Sequence, residues 1–468
     1  MASPAPEQDK YIAEFRSAAH ELVDWIAEFL RDPRKYPVVA QVEPGTLTDA
    51  LPRSAPETGE QYEAMLRDFE RLVLPAVTHW NHPGFLAYFP TSGSAPAIVA
   101  EMLAAAINTN GLHWKTSPAL VELEQTTLAW LAEWIGVPRE WFGIIYDTAS
   151  LSSLHAIAAA REMVAPEARE QGTPAGLTVY TSEHSHSSIE KACIALGIGQ
   201  KNVRKIVTDG EFRMRPDALR AAIEQDLREG KRPTCVVATV GTTSTTSVDP
   251  LARMADITRR HNIWLHVDAA YAGTAAMLPE FRHILKGVER ADSLVVNPHK
   301  WMLVPVDISA FYTRRPEILR RAFSLVPEYL RTQEDPRAVN LMDYSLSLGR
   351  RFRALKLWFV MRYFGREGIE RILRSHIAMA HRLAEIVDQD PQFERLAPAP
   401  FSVVCFRYKG SDDENRAILD KVNASGKAYI SHTSLKGQVV LRIAIGNMGT
   451  TWEDVQQAWE LIRSAAKN

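Results

Sequence analysis

From Leu177 onward the chain alternates short apolar, β-branched runs with stretches of helical periodicity. The runs are Leu177–Thr181, Lys205–Val207, Thr234–Val240, Ile263–Val267, Ser293–Val296 and Ile308–Tyr312. None shows the in–out alternation of a half-exposed strand, so each reads as a strand buried on both faces. Between the second and third lies Pro216–Gly230, with proline where a first helical turn tolerates it and glycine where a helix stops. Doubly buried strands joined by helices imply an α/β fold with a mainly parallel central sheet.

The flanks are patterned differently. Tyr11 to Leu30 has apolar residues at helical spacing, and Pro33, Pro37, Pro44, Pro52 and Pro56 then break regular structure. Such an arm cannot bury its own apolar stripe. After Gly349 come two long helical patterns, Arg353–Arg362 and Gly368–Asp388, then strand candidates Ser402–Tyr408 and Val439–Ile445 and a last helix from Thr451. A chain of 468 residues accommodates two or three units. The expected division is an N-terminal helical and extended arm over 1–94, a large α/β domain over 95–356 and a small α+β domain over 357–468.

Charge and composition narrow the function. With 54 basic and 56 acidic side chains the chain has no general field for nucleic acid or an anionic membrane, so a small-molecule substrate is expected. The longest apolar stretch, around Pro96 to Ile107, is interrupted by Glu101 and is shorter than the roughly 20 residues a span needs. Met1 to Lys10 lacks the apolar core of a signal peptide, and Cys193, Cys235 and Cys405 stand apart among apolar neighbours. These features point to a cytoplasmic protein without disulfides.

In such a sheet, ligands bind in the loops beyond the carboxyl ends of the strands. Lys300 follows the run Ser293–Val296 directly, within Asn297-Pro298-His299-Lys300-Trp301. A lone lysine here can snorkel to water, or be desolvated enough to act as a nucleophilic amine. Asp268 ends Ile263–Val267 and needs a cationic or hydrogen-bonding partner, and Ala270 beyond it leaves room for a flat ring. Asp147-Thr148-Ala149-Ser150 opens a helical pattern, where hydroxyls and free N–H groups suit a phosphate as well as a plain cap. His184-Ser185-His186-Ser187-Ser188 follows another strand, and nothing resembling a metal-ligand motif accompanies it.

Together these loops resemble the group II pyridoxal-phosphate decarboxylases of fold type I, most closely the aromatic-L-amino-acid decarboxylases. The similarity runs in order through VEPG at 42–45, HPGFLAYFPT at 82–91, SPALVELE at 117–124, DTAS at 147–150, HSHSSIEKA at 184–192, VATVGTT at 237–243, WLHVDAAYAG at 264–273, NPHKW at 297–301 and LGRRFRALKLWF at 348–359. The resemblance implies that Lys300 carries pyridoxal phosphate as a Schiff base. It implies that Asp268 pairs with the pyridine nitrogen, with Ala270 on one ring face and His186 on the other. Thr148, Ala149, Ser150, Asn297 and His299 would surround the phosphate, and Thr243 would sit near the phenolic oxygen and the substrate carboxylate. Trp80, Tyr88, Phe89, Pro90 and Thr91 match the family's substrate pocket. Asn110, Leu112 and His113 match a segment that reaches in from the second subunit of a homodimer with shared active sites.

The implied reaction is decarboxylation of tryptophan, tyrosine, phenylalanine or DOPA to the amine and CO₂. Tyr329, in the charged, turn-prone stretch Val326 to Asn340, matches the family's catalytic loop tyrosine and reads as part of a mobile lid. Related aldehyde synthases depart at this tyrosine or at the position of His186, so retention of both implies amine as product. Gly349 matches a position where, in plant relatives, glycine goes with indolic and serine with phenolic substrates. The aromatic pocket stretch offers no arginine for a second carboxylate, which argues against glutamate. An aminotransferase or desulfurase would need an arginine clamp or a reactive loop cysteine. A non-catalytic scaffold would have no need of Lys300, Asp268 and His186 together.

Overall fold

A computed structural model describes residues 5–325 and 337–467 of the chain. Twelve strands are found among these residues. In chain order they are β1 (Phe85–Leu86), β2 (Phe142–Tyr146), β3 (Leu177–Ser182), β4 (Val203–Ile206), β5 (Arg232–Thr239), β6 (Trp264–Asp268), β7 (Ser293–Val296), β8 (Ser309–Thr313), β9 (Phe393–Arg395), β10 (Val403–Tyr408), β11 (Tyr429–Leu435) and β12 (Gln438–Ala444). Seven form the central sheet, in the order β2-β8-β7-β6-β5-β3-β4. All run parallel except β8, which is antiparallel to both β2 and β7. The architecture is thus a mainly parallel α/β sheet of fold type I.

All six predicted strands of the central sheet exist, with ends shifted by at most two residues. The strand that escaped notice is β2, whose Phe-Gly-Ile-Ile-Tyr run is short and carries a glycine. Burial explains the apolar runs, since β3, β6, β7 and β8 are buried along their whole length. Helices cover the sheet. Pro216–Arg228 has its proline in the first turn as expected, while Ala149–Val164 packs Ala156, Ala158, Ala159 and Ala160 closely against it.

The second sheet has the order β1-β11-β12-β10-β9. Here β1 pairs parallel to β11, so Phe85 and Leu86 from the N-terminal part join strands more than 300 residues away. Strand β11 was missed because Tyr-Ile-Ser-His-Thr-Ser-Leu is half polar. The two helices expected after Gly349 lie within Arg353–Gln389 and are separated by a kink at Gly365, whose φ of 62° and ψ of 174° are not helical. The N-terminal helix runs from Ala5 to Arg31 and leaves Tyr11, Ile12 and Phe15 exposed. None of the described helices is long and apolar enough to cross a membrane, and the three cysteines are buried and unpaired.

Candidate active site

Lys300 sits on the short helix Pro298–Trp301, which starts where β7 ends. Proline suits its first turn, and the Asn297 N–H donates to the Ala270 carbonyl at 3.0 Å, tying the end of β7 to the turn beyond β6. Trp301 anchors the other side: it is buried, stacks on Tyr271 at 4.8 Å and donates from Nε1 to His376 Nδ1 at 3.1 Å. Lys300 is therefore fixed by its neighbours while its own amine stays unused. Nζ lies 5.0 Å from the centre of the Phe89 ring and has no ion-pair partner among the described residues. Burial pushes its ammonium below the ordinary lysine range, opposed by the charge of Asp268.

The lysine lines a cavity of about 350 Å³ together with Trp80, Tyr88, Phe89, Thr91, His186, Thr243, Ser244 and His299. Asp268, at the end of β6, is buried and accepts the Ala270 N–H at 3.1 Å. His186 Nδ1 accepts the Ser188 N–H at 3.2 Å, which places the proton of the neutral ring on Nε2. Burial, then Lys300, push its pKa below the usual histidine value. His299 is held by the Ile308 N–H to Nδ1 at 3.0 Å, and burial lowers its pKa to about 4. Thr243 rides on the loop after β5. That loop approaches so closely that a Cβ on Gly241, at φ +90°, would meet Ala272 Cβ at 2.6 Å.

Three further groups bear on what the site can hold. Asn297 Oδ1 is buried and unpartnered. Thr148 caps the helix Ala149–Val164 with no side-chain hydrogen bond, leaving its hydroxyl and the first N–H groups free, and Ser150 beside it is exposed. An unpaired amine, a buried carboxylate and a helix start with free donors match the aldehyde, ring nitrogen and phosphate of pyridoxal phosphate. The residues present fit that group.

The cavity also contains an arginine, which the aromatic stretch itself does not supply. Arg442 comes from β12, too far along the chain for its place to be read from the sequence. It is buried, with its guanidinium 4.6 Å from the Phe89 ring centre on which Lys300 also sits. Its Nε donates to the Ser244 carbonyl at 3.1 Å, Nη1 donates to the Tyr88 carbonyl, and Nη2 is buried without a partner. Strand β11 adds Ser431, His432 and Thr433 to the wall, which were also missed because of the polar pattern of that strand.

The remaining site residues lie elsewhere in the chain. Asn110 and Gly349 line a second cavity of about 280 Å³, with Asp147, His155 and Arg350. Leu112 and His113 are in neither, although Leu112 accepts the Met342 N–H at 3.0 Å, and Pro90 is buried against Gly446. Tyr329 lies outside the described residues.

Fold and site together define a pyridoxal-phosphate enzyme of fold type I. Residues 44–409 match the family model described as the pyridoxal-dependent decarboxylase conserved domain. The chain is 42% identical to a tryptophan decarboxylase of Camptotheca acuminata, over 97% of this chain and 94% of that one. It is 40% identical to a phenylacetaldehyde synthase of Arabidopsis thaliana, over 97% and 96%. The crystal structure of Oryza sativa TDC with pyridoxal phosphate and tryptamine superposes with a TM-score of 0.94 at 36% identity, covering 97% and 98% of the two chains. The chain belongs to the pyridoxal-dependent decarboxylase family, as a carboxy-lyase that uses pyridoxal phosphate.

Proposed function

We propose that this enzyme decarboxylates an aromatic L-amino acid to the corresponding amine. The observation that carries the reading is the single cavity where the unpaired amine of Lys300 faces aromatic walls and one free guanidinium edge. Once the cofactor takes up Lys300, Arg442 is the one remaining arginine or lysine in that lining, enough for one carboxylate. A substrate with a second carboxylate would have to leave it against Trp80, Tyr88 and Phe89, at the cost of desolvation. An aromatic ring fills the same space at a gain.

In this reading Lys300 would bind the cofactor and Asp268 would keep its ring nitrogen protonated, with Ala270 and His186 packing against its ring. Thr148, Ala149, Ser150, Asn297 and His299 hold the phosphate. When bound, pyridoxal phosphate supplies an electron sink for the bond being broken. The protein's task is orientation: Arg442 and Thr243 would hold the substrate carboxylate in one fixed direction, which would select the bond to CO₂ for cleavage. Tyr329 returns the proton.

The partition into 1–94, 95–356 and 357–468 is part of the proposal, supported by β2–β8 all falling within 142–313. So is a cytoplasmic homodimer with shared sites. Its support is the apolar side chains left exposed on two helices, Tyr11 and Phe15 on one and Val99, Leu103 and Ile107 on the other, and the absence of any shared lining residue between the Gly349 cavity and Lys300's own.

The test is turnover of tryptophan, tyrosine, phenylalanine and DOPA, with CO₂, amine, aldehyde and peroxide all measured. Amine and CO₂ in equal amounts are expected. Aldehyde with stoichiometric peroxide would mean the aldehyde synthase chemistry of the Arabidopsis relative instead, and turnover of glutamate alone would end the aromatic reading.

A further inference from the structure

Behind the proposed phosphate site one cation joins two strands. Strand β2 ends in Tyr146, paired across the sheet with Ser309 at the start of β8. Asp147 follows the one and Asp307 precedes the other. Arg353 bridges them, with Nη2 2.7 Å from Asp147 Oδ1 and Nε 3.0 Å from Asp307 Oδ1. One carboxylate adjoins a proposed phosphate contact and the other adjoins the residue that holds one. Asp147 adjoins Thr148, and Asp307 adjoins Ile308, whose N–H fixes the His299 ring at 3.0 Å.

The placement of Arg353 would otherwise be unfavourable. It is the first residue of the helix Arg353–Gln389, where the helix dipole disfavours a cation, and its side chain is 12% exposed. The next cation, Lys356, is taken by Glu101 at 2.6 Å. Among the described residues, Asp147 has no other ion-pair partner. Burial pushes the Asp307 carboxyl up, but the hydrogen bond and charge of Arg353, with the charge of Lys356 and a backbone N–H, together hold the group below its ordinary value. Both carboxylates stand beside a site meant for a dianion.

Resting on the cofactor reading above, we propose that Arg353 is the positioning residue of the phosphate cradle. It neutralises Asp147 and Asp307 and locks the Thr148–Ser150 turn to the His299 segment, so that both close on the cofactor's phosphate.

The test compares two ligands that differ only in that phosphate. Apoprotein is titrated with pyridoxal phosphate and with pyridoxal, following tryptophan fluorescence, for the unaltered chain, Arg353→Gln and Arg353→Lys. For Arg353→Gln the expected loss is about tenfold to a hundredfold for pyridoxal phosphate, the range seen when partners supporting a bound ion are removed. Pyridoxal affinity should stay within about twofold, and Arg353→Lys should fall between the two proteins. Equal weakening of both ligands, or no weakening of either, overturns the proposal. If Arg353→Gln does not fold, Arg353→Lys decides alone: a phosphate preference equal to the unaltered chain's overturns it, and a reduced one supports it. Failure of the unaltered chain to bind pyridoxal phosphate would be a failure of the cofactor reading, and is seen before any variant is measured.

Discussion

The cavities at Lys300 and at Gly349 are of similar size, about 350 and 280 Å³, but they are built differently. The first gathers residues from 80 to 442, fixed at strand ends and by buried neighbours such as Trp301. The second is walled by three stretches, 108–110, 146–155 and 345–353, with Asn110 and Gly349 exposed. Its rigid part is the Arg350–Glu124 pair at 2.8 Å, both buried, where Arg350 also donates to the Ile145 carbonyl at 2.6 Å and Gly111 donates back to Arg350. A reaction that depends on orientation needs the first kind of wall. A preference among similar rings can be carried by the second, which the proposed dimer brings to the other subunit's Lys300.

If the labour is divided in this way, changes at the two cavities should have effects of different kinds. Lys300→Ala should abolish covalent cofactor binding and lower turnover by more than about a thousandfold. The checks are the absorbance of the purified protein and amine release. A covalent chromophore that persists in this variant would place the cofactor on another lysine. Tyr329→Phe should be milder, lowering amine by about a hundredfold and raising aldehyde and peroxide. Amine output at the level of the unaltered enzyme would remove Tyr329 from the mechanism.

The first cavity was the more legible of the two in the sequence. Lys300, Asp268 and His186 stand at or beyond the ends of strands of the central sheet, and the chemistry of such positions could be reasoned about one at a time, whereas Thr243 came from the family resemblance. Arg442 and the β11 wall could not. Their place depends on how the second sheet folds back over the first, and β11 carries too mixed a pattern to be recognised. The second cavity was legible only through family resemblance. Nothing in the residues around Gly349 and Asn110 announces that a Cβ on the one would come to rest 3.5 Å from the side-chain amide of the other. Strand ends differ from the apolar runs by up to two residues, because side-chain pattern and backbone pairing need not start or stop together.

Gly349→Ser tests the second cavity. The added Cβ would meet Asn110 at ordinary contact distance, so the fold should tolerate it. What should change is selection: about a tenfold shift in the ratio of kcat/KM values for tryptophan and tyrosine, toward the phenolic substrate, with cofactor affinity unaltered. A ratio unchanged within twofold would detach this wall from substrate choice. A loss of cofactor affinity would mean that the two cavities do not divide the work as proposed.

The smallest effect concerns protonation in the first cavity. Burial, then Lys300, hold His186 below the ordinary histidine value of 6.5, so its neutral ring, with the proton on Nε2, is the form present at pH 7. The sign for stability follows. A group that binds its proton less readily when folded contributes stability above its unfolded pKa and loses it as pH falls through and below that value. The acid limb of kcat/KM should therefore lie below pH 6.5, leaving more than half of the plateau activity at pH 6.5 itself. His186→Asn should remove or displace that limb. If instead half the activity is already lost above pH 6.5, and the loss disappears in His186→Asn, the ring is stabilised as a cation. The wall around Lys300 would then be wetter or more acidic than its buried surroundings imply.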